Sequence, residues 1–493
     1  MIQGLLARLS GRDEVVARLE RRLDEVERTL AERDAQLAAA METIAQLNAE
    51  VAELKEKLGS NSSNSSKPPS TDPPGDRGGR YPKRKSSGKP RGAQPGHTGS
   101  SRALVPTAEC DEVKDWYPTS CLGCGKVLPK EPGSSFRRHQ VTEIPPVQPH
   151  ITENRFHDVQ CPCCNRKNEC PWPISVPRSS FGPRLTAIVA VLIASFRVSR
   201  RMAQTALADL LGVTMSLGAI SACEKRVSAA ITGPVGDAQH YVQHQATKHI
   251  DATGWTQAGT RRQLWVVVTS LVTVFRITTD GRMKTVKEML GKPFGTLVSD
   301  RAKAFGFWMM CHRQVCWAHL AREFKKFSER GGVSVAIGDV LTEQTRLMFM
   351  GWHRVRDGTL AREDFEHEMK PIKAEVLKQL QLGSALVSST KGVHRKTAGT
   401  CRELLKYKDA LWRFVTTPGV EPTNNAAERA LRHGVIWRRT SQGTNAERGD
   451  RFVERMMTVT QTLRQQRRHV LDYLTHAVQA HRDGQSSPSI LPG

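Results

Sequence analysis

From Ile2 to Leu58 every seventh residue is apolar: Ile2, Leu9, Val16, Leu23, Leu30, Leu37, Ile44, Val51 and Leu58. The positions three residues on are mostly apolar as well, at Leu5, Leu19, Val26, Ala40, Leu47 and Leu54, with Arg12 and Arg33 as interruptions. A period of seven rather than 3.6 keeps one seam in line only if the helix supercoils against a partner, which predicts a left-handed coiled coil over 1–58. In a parallel pair each g position meets the next e position of the partner. That sets Arg8 against Asp13, Arg22 against Glu27 and Glu50 against Lys55, all opposite in sign. The agreement favours a homodimer or higher assembly over a helix lying on its own protein.

The character changes at residues 59–103, where Ser, Pro and Gly crowd together and then give way to a basic run. Such a composition buries no core, so this is a linker. Its Lys83, Arg84 and Lys85 can track phosphates without reading sequence, and a solvated spacer is the plain alternative. A net charge of +24 over 493 residues points to a polyanionic partner, nucleic acid above all, although ribosomal and membrane-surface proteins share this bias, and says little about fold. The longest apolar run, Ala187 to Ala194, is far short of a bilayer span, and the N-terminus is not signal-like. The expectation is a cytoplasmic protein without membrane contact, associated with the nucleoid when on DNA.

In that compartment cysteine pairs suggest metal rather than disulfides. Cys121-Leu-Gly-Cys124 and Cys161-Pro-Cys163-Cys164 supply two tight corners, and Cys121, Cys124, Cys161 and Cys164 would hold a structural Zn2+. Cys163 is a possible substitute, and Cys110 and Cys170 are bystanders. Strand-like Ile151, Phe156 and Val159 between the corners suggest a β-rich ribbon over 104–178. Unliganded thiols remain the other reading.

Over 179–240 the pattern is helical. Pro183 opens an apolar helix, Ser199 caps a second to Leu211, Gly212 turns the chain, and Ser216 caps a third. This outlines a DNA-binding helix-turn-helix, although any small helical bundle looks the same.

Strand periodicity follows at His249-Ile-Asp251, Leu264–Thr269, Val274–Ile277 and Thr296–Asp300, with a helical stretch from Thr285 to Leu290. A mixed sheet with helices against it is expected, with Asp251 and Asp300 at strand ends. A polar helical block from 327 to 420 reads as an insertion, after which Pro422 opens a new helix bearing Glu428. Two roles fit Glu428. With Asn425 as N-cap it completes a capping box; with Asp251 and Asp300 it completes a trio of carboxylates able to hold a hard cation. His319 and Arg322 are placed to lie near metal or phosphates and Arg429, Arg432, Arg438 and Arg439 to hold a phosphate backbone, with solvated helix charges as the plain alternative for each, and Trp437 either stacks on a base or packs in the core. An apolar stripe through Phe452, Val453, Met456, Leu463 and Val470 predicts a final helix on the sheet.

The order of motifs resembles the bacterial insertion-sequence family 66 transposases. It runs coiled coil, S-N-S-S-K-P-P-S linker, G-x-Q-P-G-H, paired C-x-x-C, D-x-T-G-W, S-D-R-A, C-W-A-H-L-x-R-x-F, then P-T-N-N-A-A-E-R-A-L-R. Ala252 departs from the family's usual acid, and Arg301-Ala-Lys-Ala-Phe from its aromatic-rich segment. The resemblance implies an RNase H-like catalytic domain of DDE type with Asp251, Asp300 and Glu428 holding Mg2+ or Mn2+. It further implies cleavage and strand transfer on DNA, both element ends and target, and accessory proteins encoded alongside. The expected architecture is multidomain α+β: coiled coil 1–58, basic linker 59–103, zinc ribbon 104–178, helix-turn-helix region 179–240, catalytic core 241–326 and 421–485 around the helical insertion 327–420, and a tail 486–493. Rival functions are a DNA-binding regulator without catalysis and a metal nuclease that never joins strands.

Overall fold

The computed structural model describes residues 18, 22–47, 50, 102–133, 135–173, 175–386 and 393–493. These residues form two compact units, one of the N-terminal helix with residues 322–342, the other of the remaining chain.

In the first unit, α1 spans residues 22–47. Its heptad residues Leu23, Val26, Leu30, Leu37, Ile44 and Leu47 are all more than half exposed, a bare apolar seam along one chain. The heptad positions up to and including Leu19 and those after residue 50 lie outside the described residues, as do the charge pairs built on them and the basic linker with Lys83, Arg84 and Lys85. In the same unit the Ser328 hydroxyl donates to Asp339 at 2.7 Å.

The described part of the second unit begins at residue 102 with little regular structure. Among the described residues of this region, β1 (Val159–Gln160) and β2 (Lys167–Asn168) pair antiparallel and Ser120 forms a single antiparallel bridge with Val127, where a β-rich ribbon is expected. Ile151 is 86% exposed, so its alternation with Phe156 serves no paired strand.

Helices α2 (Pro183–Ala194), α3 (Arg200–Leu211), α4 (Leu217–Ala230) and α5 (Thr232–Gln243) follow. Pro183 sits in the first turn of α2, where no amide is missed. Ser199 accepts from the Met202 amide and Ser216 from the Ala219 amide, each at 3.1 Å, and Gly212 takes the left-handed C-cap. Ile220, Cys223 and Val227 on α4 are buried, whereas α3 keeps most of its surface in water.

The chain next lays down β3 (Thr247–Gln257), β4 (Thr260–Val268), β5 (Thr273–Thr278), α6 (Met283–Leu290), β6 (Thr296–Ser299) and β7 (Arg313–Val315). Their order in the sheet is β5-β4-β3-β6-β7, with the first three antiparallel and β6 and β7 parallel to β3. Strand β3 is therefore central.

Then come α7 (Trp317–Glu329), α8 (Val333–Arg356), α9 (Arg362–Ser384), α10 (Val393–Lys406), α11 (Arg413–Thr416), α12 (Asn425–Ser441), α13 (Glu447–Gln465) and α14 (Val470–Arg482). Helix α12 packs on β3 and β4, and α13 runs along β5. Residues from α2 to α5, the sheet and α12 to α14 share one apolar core. The edge of β5 is closed by side chains rather than by another strand. Thr462 and Thr458 accept from the amides of Thr273 and Phe275 at 3.1 and 3.0 Å, and Glu454 accepts from Ile277. Four helical residues rise about 6 Å and two strand residues about 6.7 Å, so every fourth residue of α13 meets every second amide of β5. No helix among the described residues is long and apolar enough to cross a membrane.

Candidate active site

Strands β3 and β6 set the first two acids. Their last paired residues are His249 and Val298, and continuing that register two residues beyond this pair, past the end of β6, would bring Asp251 opposite Asp300. Parallel partners in register face the same side, so a register continued in this way would turn both carboxylates to one face. Asp251 Oδ1 accepts from the Ala252 amide at 2.8 Å, and Asp300 Oδ1 from the Ala302 amide at 2.9 Å. Beneath Asp300 the fully buried Arg313 donates to its carbonyl at 2.9 Å and to the Ser299 hydroxyl at 3.0 Å.

Three contacts bring in α12. Trp317 donates its amide to the Pro422 carbonyl at 2.9 Å, and the Asn424 amide donates to Cys316 Sγ at 3.1 Å. The Asn424 side chain donates to the Ile250 carbonyl at 2.7 Å, next to Asp251. The helix starts at Asn425 with Asn424 as N-cap and no side-chain cap bond. The capping box expected from Asn425 and Glu428 therefore does not form: Asn425 is already the first helical residue, one place too late for the cap, and Glu428 faces elsewhere.

Glu428 faces His319, with Oε1 3.6 Å from Nδ1. That is an ion-pair distance but too long for a hydrogen bond, and the buried Oε1 accepts none. Among the described residues, Cys316, His319 and Glu428 bring three metal-capable donor atoms within 4.8 Å of one another, and neither aspartate belongs to that group. Burial pushes the Cys316 thiol above its usual pKa. Burial also pushes His249, on β3, down to about 4, so it is neutral at physiological pH. Cys316 is the participant that sequence reasoning left without a role, although a C-x-x-H spacing at a helix start is a readable signal.

The basic residues divide. Arg429, Arg432 and Arg439 are exposed on α12. Arg438 turns inward to the Gly254 carbonyl and, at 3.3 Å, to Thr253 Oγ1. Trp437 is buried edge-on against Phe452 and belongs to the core. Arg322 falls in the first unit. An open cleft of about 210 Å³ beside α12 is lined by His249, Trp352, His353, Arg356, Asn425 and Arg429, among others.

The cysteine corners adopt the same turn twice. Cys121 donates to Lys126 and Cys161 to Arg166 through their amides, while Gly125 and Asn165 donate back to the two cysteine carbonyls, all at 2.9 Å. Gly125 and Asn165 both take positive φ, the conformation that lets amides fold over a sulfur. Amides of Cys124 and Gly123 lower the Cys121 pKa, and those of Cys164 and Cys163 lower that of Cys161. The four sulfurs, all among the described residues, are not gathered into one group.

Residues 178–451 match the family model described as "Transposase IS66 family". Residues 13–103 match a family of unknown function, DUF6444. An uncharacterized protein of Sinorhizobium fredii, y4qI, is 31% identical over 166 residues, which are 33% of this chain and 30% of that protein. The chain thus aligns with less than a third of the curated relative it matches.

Proposed function

The chain belongs to the transposase IS66 family, and from that premise we propose that it binds the ends of an insertion sequence and cuts and joins DNA there. Asp251, Asp300 and Glu428 are the carboxylates of an RNase H-like centre. The observation that supports this reading is the parallel pairing of β3 with β6 just before Asp251 and Asp300, with Asn424 fastening the start of α12 to Ile250, next to Asp251.

Members of a DDE-type family use a divalent metal, and the residues present fit one. All three groups are hard oxygen donors, and Glu428 carries a buried oxygen that accepts no hydrogen bond. Asp251, Asp300 and Glu428 would hold the metal, and a two-ion centre would not require all three acids to share one coordination sphere. When bound, the metal supplies activation of the attacking oxygen and stabilisation of the leaving one. The chain's own part is to hold these acids apart and aligned, through Asn424 on one side and Arg313 under the Asp300 loop on the other. Arg429, Arg432 and Arg439 face solvent on the same helix as Glu428 and hold the phosphodiester backbone. Water attack breaks a P–O bond at the element end and frees a 3′-hydroxyl. That hydroxyl then forms a new P–O bond with target DNA as the target's own strand oxygen leaves.

The rest of the chain serves delivery. The matched cysteine turns hold Zn2+ once closed on each other, the α3–α4 pair and the basic linker meet DNA, and the bare seam of α1 pairs with another copy. Accessory proteins of the same element complete the reaction. A strand-transfer assay with labelled ends and a target plasmid tests this: joined product supports a transposase, and nicked ends alone indicate a hydrolytic nuclease.

A further inference from the structure

Cys316, His319 and Glu428 place a sulfur, an imidazole nitrogen and a carboxylate oxygen within 4.8 Å of one another. We propose that they form a site for a thiophilic divalent cation, Zn2+, which takes up the same Glu428 that the DNA-cutting centre uses.

The arrangement is held by the backbone. Cys316 immediately precedes α7 and His319 lies in its first turn, three residues on, so one short segment sets both. The sulfur accepts the Asn424 amide at 3.1 Å, an outer contact of the kind that orients metal ligands. The gap of 3.6 Å between His319 Nδ1 and Glu428 Oε1 is too long for a hydrogen bond. It is close to the edge of roughly 3.3 Å that two ligands, each about 2.0–2.1 Å from a tetrahedral zinc, span between them. The buried Glu428 oxygen that accepts no hydrogen bond completes the set.

Donor chemistry separates this site from the aspartates. Carboxylates alone suit Mg2+, whereas sulfur with imidazole suits Zn2+. Binding displaces the Cys316 proton to solvent and leaves a fourth position for water. One carboxylate cannot serve both cations fully, so Zn2+ opposes the Mg2+-dependent chemistry. This last step rests on the catalytic reading of Glu428; the existence of the site does not.

The test counts zinc. Full-length protein is stripped of metal, reloaded with Zn2+ in excess Mg2+, dialysed and analysed per chain, beside Cys316→Ser and His319→Asn. The cysteine turns at 121–125 and 161–165 are untouched in all three proteins, so any zinc held there cancels. One zinc fewer per chain in each variant, with unchanged far-UV circular dichroism, is the expected result. Equal zinc in all three overturns the proposal. Should Cys316→Ser misfold, His319→Asn decides alone, since that side chain is 33% exposed. No DNA enters the measurement, so its outcome is independent of cleavage assays on Asp300 and Glu428.

Discussion

The side-chain amide of Asn424 donates to the backbone carbonyl of Ile250 at 2.7 Å, joining the N-cap of α12 to the central strand one residue before Asp251. Asn424 is fully buried, and its own backbone amide is engaged by Cys316. This one residue ties together the helix of Glu428, the strand of Asp251 and the turn that leads into His319.

Asn424→Ala leaves the Ile250 carbonyl buried without its donor, a loss of about 1–3 kcal/mol. Thermal melting should register it. Magnesium-dependent cleavage should fall further than the loss of folded protein explains, because the start of α12 is freed from β3. Asn424→Asp, which sets an acceptor against an acceptor, should be worse.

Gly295 controls how β6 enters the sheet. Its φ is +69°, and a Cβ there would run into the carbonyl of Ala246, which already accepts the Thr296 amide at 2.7 Å. Gly295→Ala combines left-handed strain with a backbone clash, so destabilisation of about 2 kcal/mol or more is expected. The cost falls on the β3–β6 register, and melting temperature and cleavage should drop together.

Lys248 is fully buried on β3, and its ammonium donates to the carbonyls of Gln245 and Phe294 at 2.6 Å each. Burial pushes its pKa down to about 8 from 10.5. Between those values the unfolded chain holds the proton and the folded chain has released it, so stability rises with pH. The contribution is full above about 10.5 and is lost as pH falls through 8. Measured against Lys248→Met, wild-type protein should gain on the order of 3 kcal/mol across that window. A flat difference would contradict the assignment.

Arg429, Arg432 and Arg439 are predicted to act on DNA as point charges. Replacing each by Ala should weaken binding about equally for different sequences and reduce the salt slope by about 0.9 for each phosphate no longer neutralised. Arg438→Ala should instead lower stability, since its guanidinium holds the Gly254 carbonyl.

Much of the frame is legible residue by residue. Ser199 and Ser216 announce their helices because a hydroxyl before an apolar run has one good use, and both accept the amide three residues on. The runs at Leu264, Val274 and Thr296 are strands because both of their faces are covered. Strand β7 escapes notice: Arg313 and Gln314 are fully buried polar residues, and no hydrophobic pattern announces a three-residue strand whose side chains are satisfied by tertiary partners. The role of Asn424 is hidden for the same reason. Its partner, Ile250, is 174 residues away, and local spacing favours Asn425 as the cap. Of the candidate site, the acids are readable as types at strand and helix ends, while the approach of Cys316 and His319 to Glu428 depends on long-range packing.

The central claim is that Asp300 and Glu428 hold the catalytic metal. It is tested most directly by Mg2+-dependent nicking of a labelled duplex carrying the element's terminal sequence, comparing wild-type protein with Asp300→Asn and Glu428→Gln. Both variants should stay folded and bind the duplex, yet cleave at least about 100-fold more slowly. Cleavage by either variant at the wild-type rate would contradict it.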